Sequence, residues 1–171
     1  EQRIRAGHPW IYRADVTGVN AAGGDVVEVV GPRARPIGTA LFSDRSQIAI
    51  RMLTVGEPAD VAALVRVRLE RALAFRTSLS LDATAFRLVH GEADLLPSLV
   101  VDRYADHLVL QTLSQGMDRL TPVIVEALTD LLHPAGILAR NDPKVRTLEG
   151  LEQRVDVLAG DSSGHHLLGM S

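Results

Sequence analysis

The chain has 171 residues, 46% of them hydrophobic and 23% charged, with a formal net charge of −3. That balance excludes disordered and fibrous classes, and the length allows one mid-sized domain or two small ones, each able to bury a core. There is no cysteine, no apolar run of about 18 residues and no basic start leading into an apolar stretch; disulfides, thiolate metal sites, a membrane span and a signal peptide are therefore absent from the pattern, and the chain reads as cytoplasmic.

The first element in chain order is "GHPWIY", residues 7–12, where a histidine, a proline and the only tryptophan follow one another. Gly7 and Pro9 fit a tight turn, and Trp10 and Ile11 point to opposite sides of an extended chain. Ile11 is expected inward, or Trp10 closes the end of a small barrel. "GGDVVEVVG" then reads as a turn at Gly23-Gly24-Asp25 and a Val-rich strand closed by Gly31-Pro32. "PIGTALF" and "QIAIRML" follow closely, the second alternating Ile48, Ile50 and Met52 against Gln47, Ala49 and Arg51. Short strands at this spacing predict a small barrel over residues 1–54.

Composition changes at residue 55. Pro58 and Asp60 are helix-start signals, and Val61, Leu64, Val65, Leu69, Ala72 and Leu73 form the stripe of an amphipathic helix whose other face carries Arg66, Arg68, Glu70 and Arg71. This helix is expected to connect the two units across residues 55–80. Next come a strand at "FRLVH", a loop from Gly91 to Pro97, and a hairpin in which Asp102 and Asp106 bracket the turn. A helix over about 117–132, a short strand at "GILAR" and a helical turn with Asp142 as N-cap and Gly150 as stop complete an α+β pattern over 81–151. Residues 152–171 read as a tail or the start of a further domain. The fold class is mixed α/β, a small barrel followed by an α+β domain.

No catalytic constellation emerges from these residues. "GPRARPIG" and "AGDSSG" lack the strand and helix that a phosphate-binding glycine loop needs. Of six histidines only His165 and His166 are close, and neighbours on an extended chain face opposite ways, so no metal site is expected. Glu92, Asp94, Asp102 and Asp106 sit where carboxylates cap turns. No G-x-S-x-G elbow occurs.

What remains is arginine and one aromatic pair. All but one of the 18 basic residues are arginine, Lys144 being the exception. A GC-rich genome accounts for that bias without function; equally, the planar guanidinium suits phosphate and base edges. Arg3, Arg5 and Arg13 surround "GHPWIY", while Arg33, Arg35, Arg45 and Arg51 fall in the same expected barrel. A basic barrel rim with a ring or two is one way to hold RNA. The competing account has Trp10 as a plug and the arginines as a solvated face.

Taken in order, "GHPWIY", "GGDVVEVV", "PIGTALF" and "SQIAIRML" resemble the N-terminal PUA-like domain of the class I, S-adenosylmethionine-dependent methyltransferases of the large-subunit rRNA cytosine-C5 type. "GEADLLPSLVVDRYADHLVLQ" and "ARNDPKVRTLEGL" resemble the small α+β domain that follows it. Members of that family usually carry Gly where Ser98 follows Pro97. The resemblance implies RNA, in particular large-subunit rRNA, as partner, with Arg5, His8, Trp10, Arg13, Arg45 and Arg51 on the RNA side and Arg33 and Arg35 as a weaker loop pair. It implies S-adenosylmethionine for the full-length protein but no catalytic, cofactor or metal residue here, because the Rossmann-like catalytic domain would begin where these residues end. Methylation at cytosine C5 needs a thiolate to add at C6, and this chain has no cysteine. A different reading is a protein-interaction module that homodimerises through its α+β domain, with a purely structural barrel.

Overall fold

The computed structural model describes Ile4, residues 6–80 and residues 82–160. The expectation for Arg5 and that for the end of the tail, residues 161–171, lie outside the described residues.

The Val- and Ile-rich runs form the first sheet: β1 (Trp10–Tyr12), β2 (Val26–Val30), β3 (Pro36–Phe42) and β4 (Ile48–Met52). Their order is β1-β4-β3-β2, all neighbours antiparallel. Val29, Ile37, Ala40, Phe42, Ala49 and Ile50 pack with Ile4 in one buried cluster, and Ile11 joins it from β1 as expected. Among the described residues the edge strands β1 and β2 do not pair, and the sheet encloses an open cavity of about 1360 Å³ lined by Ile11, Val27, Val29 and Phe42 among others. Gly38 is required where it stands. Its φ is +155°, and a Cβ there would lie 2.1 Å from the Thr54 carbonyl oxygen.

α1 (Val61–Ser78) starts as its signals predict: the Asp60 side chain accepts from the Ala62 and Ala63 amides. It buries Val65, Leu69 and Ala72, but also Arg68. That corrects the expected outer face, which had Arg68 in solvent.

The second sheet holds β5 (Ala85–His90), β6 (Leu99–Tyr104), β7 (His107–Thr112), β8 (Gly136–Asn141) and β9 (Arg154–Gly160), in that spatial order. β6 and β7 make the expected hairpin, turning through Ala105 at φ 52°. β7 and β8 are parallel, joined through α2 (Gln115–Arg119) and α3 (Thr121–Leu132). The single helix expected over 117–132 is therefore two. Pro122 sits in the first turn of α3, where its missing N–H costs nothing, whereas a continuous helix would drive its ring against the preceding turn. α4 (Val145–Leu148) is the short turn expected after β8, but Lys144 rather than Asp142 occupies the N-cap. β9 pairs antiparallel with β8, so residues 154–160 belong to this sheet and its edge lies beyond the boundary expected at 151.

α1 and α3 supply Leu69, Ala72, Ile124 and Leu128 to a core with Leu88, Val101, Leu108 and Ile137 from the second sheet. Burial of each of the leucines, isoleucines and the valine among them is worth about 1.5–3 kcal/mol. Leu41 of β3 and Leu53, just past β4, join this same core. At the contact, Leu41 lies so close to Gly116 that a Cβ there would stand 2.6 Å from the Leu41 Cβ.

Candidate nucleic-acid interface

Trp10 lies on β1 opposite Arg51 of β4. Its indole Nε1 donates to Glu92 Oε1 at 3.2 Å, so the residue that lines the first sheet's cavity is also tethered to the second unit. His8 folds onto the same turn. Its Nδ1 lies 3.0 Å from the Trp10 carbonyl oxygen and 3.3 Å from the Trp10 amide, and its ring meets the indole edge-on, with centroids 6.2 Å apart. Glu92 and Asp94 are thus structural partners, as turn-capping carboxylates are expected to be.

The predicted arginines divide by what their guanidinium groups touch. Arg13 donates to the Ser46 carbonyl from Nε and Nη2, at 3.1 and 2.7 Å, and to the Ser43 carbonyl at 2.9 Å. It shapes the β3–β4 loop. Arg45, on that loop, is exposed, with its side chain 70% accessible and Nε 3.7 Å from Asp44. Arg51 does not face a ligand: only 8% exposed, it donates at 2.8 Å to Glu149 Oε1, itself 1% exposed, and to the Ile48 carbonyl. The second unit covers that face of β4, which strand alternation alone leaves open to solvent. Arg13 and Arg45 therefore meet at one loop, while Arg51 is withdrawn.

Three further buried polar groups carry weak sequence signals. Arg146, 1% exposed, donates to Asp118 Oδ1 at 2.9 Å, to the Glu152 carbonyl at 3.0 Å and to the Thr112 carbonyl. Asn141 exchanges hydrogen bonds with Thr112. Arg68 donates to the Leu53 and Leu95 carbonyls, each at 2.5 Å, and burial lowers its pKa, with the charge of Arg71 adding to the effect. Burial pushes the Asp94 carboxyl up, but the hydrogen bonds from Arg76, at 2.5 and 2.7 Å, and from the His90 amide outweigh it and hold Asp94 below its ordinary range. The sequence signal was an arginine inside an otherwise apolar stretch, as in "LVRVRLERAL" and "KVRTLEGL".

A methyl-donor site has one place to be tested among the described residues, the turn from β7 into α2 on the crossover to parallel β8. There Ser114 Oγ accepts from the Met117 amide, Glu149 Oε2 accepts from the Gln115 amide, and Leu41 packs against Gly116. These groups are engaged within the protein and do not fit S-adenosylmethionine. Among the described residues no group of three or more His, Asp or Glu is placed to hold a metal, and no helix is long and apolar enough to cross a membrane.

Residues 1–55 match the family model of the PUA-like domain. Over those residues the chain is similar to a PUA-like domain. Over 167 residues it is 36% identical to ribosomal RNA large subunit methyltransferase I of Tolumonas auensis and 34% identical to that of Aliivibrio fischeri, in each case covering 94% of this chain and 42% of the relative. It is thus homologous to these enzymes, and it spans about two fifths of their length. Among solved structures, a protein from Streptococcus mutans assigned as a SAM-dependent methyltransferase superposes with a TM-score of 0.78 at 16% identity, covering 95% of this chain and 42% of that one. A methyltransferase structure complexed with SAH gives the same TM-score at 15% identity and covers 41% of its own chain. At those identities the likeness concerns fold: a PUA-like sheet followed by the α+β unit.

Proposed function

We propose that this chain is the RNA-recognition part of a SAM-dependent methyltransferase acting in the cytoplasm on large-subunit rRNA, with cytosine C5 as the methylated atom. The observation that carries the reading is 36% identity to a ribosomal RNA large subunit methyltransferase across 94% of the chain, PUA-like domain included. Arg5, His8, Trp10, Arg13 and Arg45 are the proposed RNA-side residues. Arg51 is left out because Glu149 holds it.

The division of labour follows from chemistry. Attack of a thiolate on cytosine C6 makes C5 nucleophilic toward a methyl group, and these residues contain no cysteine. Nucleophile and methyl donor would be supplied by a catalytic domain of the full-length protein. The residues described here bind and orient: Arg13 fixes the β3–β4 loop, Arg45 offers a cation on it, and the Trp10–Glu92 and Arg51–Glu149 contacts hold the loop at a set position against the second unit.

Titration of a structured large-subunit rRNA fragment at 50 and 200 mM salt tests the reading. Arginine–phosphate contacts predict affinity that falls steeply with salt. Absence of binding at the lower salt overturns RNA recognition by this chain.

A further inference from the structure

Most arginines of the described residues are held by the protein itself. Arg13 and Arg68 are turned onto backbone carbonyls, and Arg51, Arg76 and Arg119 onto carboxylates. Arg33 and Arg35 differ, as does Arg71 of α1. Among the described residues Arg33 and Arg35 are both exposed, neither donates a side-chain hydrogen bond, and neither lies within ion-pair distance of an acid.

Their backbone is equally distinctive. They occupy the β2–β3 turn, closed by a 2.8 Å hydrogen bond from the Gly31 amide to the Arg35 carbonyl, with Pro32 in the short helical turn between. Arg33 has φ 62° and ψ 31°, and Ala34 has φ 55°. Two consecutive residues bearing a Cβ in the left-handed region are uncommon, because the Cβ crowds the carbonyl; glycine or asparagine is the ordinary choice. Strain of this kind concentrates where a backbone is held ready for a partner. An isolated, strained turn carrying two uncompensated cations, in a chain whose net charge is −3, offers an attraction for anions that the protein does not satisfy internally.

We propose that the β2–β3 turn, through Arg33 and Arg35, grips the phosphodiester backbone of RNA independently of base sequence. The turn at the far end of β3 from the Arg13–Arg45 loop would thereby give the RNA a second point of contact on the first sheet. The inference rests on the RNA reading above, and names phosphate contacts that strand pattern and motif resemblance ranked below the "GHPWIY" residues.

The test is the same titration with the 171-residue chain, comparing wild type with R33G/R35A. Glycine suits the left-handed position, so the turn keeps its shape while both cations go. The double variant is expected to bind roughly tenfold more weakly at 50 mM salt, and the slope of log affinity against log salt to fall by about 1.4–1.8, from two lost phosphate contacts. R33K/R35K should restore most of the affinity, and R71A, which removes an unpartnered arginine from α1, should change neither quantity. Wild-type binding that R33G/R35A leaves unaltered overturns this inference and leaves RNA recognition standing; a loss of affinity with an unaltered slope overturns the phosphate assignment. Failure of the wild type to bind overturns both readings.

Discussion

The Arg51 guanidinium and the Glu149 carboxylate meet at 2.8 Å with 10% and 2% of their side chains exposed, and the two residues come from different sheets' surroundings, 98 positions apart. A buried ion pair is strongly asymmetric: removing one partner leaves the other desolvated and uncompensated, whereas replacing both by apolar groups is often neutral. Arg51→Ala should therefore destabilise the protein by about 3–5 kcal/mol, and R51M/E149L should recover most of that loss. Urea unfolding midpoints check it. Similar stabilities for the single and double variants would show that the pair is not the source.

The Trp10–Glu92 hydrogen bond separates a tether from a stacking platform. Glu92→Ala removes the indole's acceptor without touching the ring and should cost about 1 kcal/mol, seen as a lowered melting temperature and a shift in the emission of the sole tryptophan. RNA affinity should stay within about twofold if the tether is structural. A larger fall would mean that the position of Trp10, set by Glu92, matters to the bound RNA.

Backbone conformation predicts two substitutions of opposite sign. Ala105 holds φ 52° at the tip of the β6–β7 hairpin, so Ala105→Gly should stabilise by about 1 kcal/mol, the penalty of a left-handed Cβ less the entropy glycine regains on unfolding. Gly38→Ala should do the reverse. Its new Cβ would lie 2.1 Å from a backbone oxygen that cannot move away alone, and expression as soluble folded protein is the expected casualty. Thermal melts of both variants against wild type decide the signs.

Acid sensitivity should have a contribution from Asp94. Its folded-state pKa is held below the unfolded value of about 3.9 by Arg76 and the His90 amide acting against burial. A depressed carboxylate stabilises the fold above its unfolded pKa, and that contribution is lost as pH falls through the lower, folded value. The wild type should thus lose stability steeply below about pH 4, and Asp94→Asn should be less stable near neutrality while showing a shallower acid limb. An identical slope in both proteins would remove Asp94 from the account.

Much of this fold was legible because local chemistry determines it. The Val runs became strands, Asp60 capped α1 as its position implied, and Gly–Pro punctuation marked the turns. Ile11 went inward, one of the two outcomes that strand alternation allowed. Arg51, Arg68 and Arg146 were not legible, for one shared reason: an arginine in an apolar stretch reads as a solvated face until its partner is known, and those partners lie 98, 15 and 28 positions away. β9 was hidden similarly, since an edge strand such as "RVDVLAG" is specified by the free edge of β8 more than by its own residues. Of the candidate site, Arg13 and Arg45 were named from the sequence, but that Arg13 turns onto the β3–β4 loop that carries Arg45 was not legible, because its carbonyl partners lie 30 and 33 positions away.

Leu41 and Leu53 are encoded in the PUA-like segment yet buried in the other unit's core. That segment is consequently no portable cassette. Residues 1–55 transplanted onto another protein would bring two leucines and an arginine into water without the surfaces that shelter them, and would be prone to stick to one another. Lineages that exchange such segments would have to carry the α+β unit along, so the two should be inherited as a block.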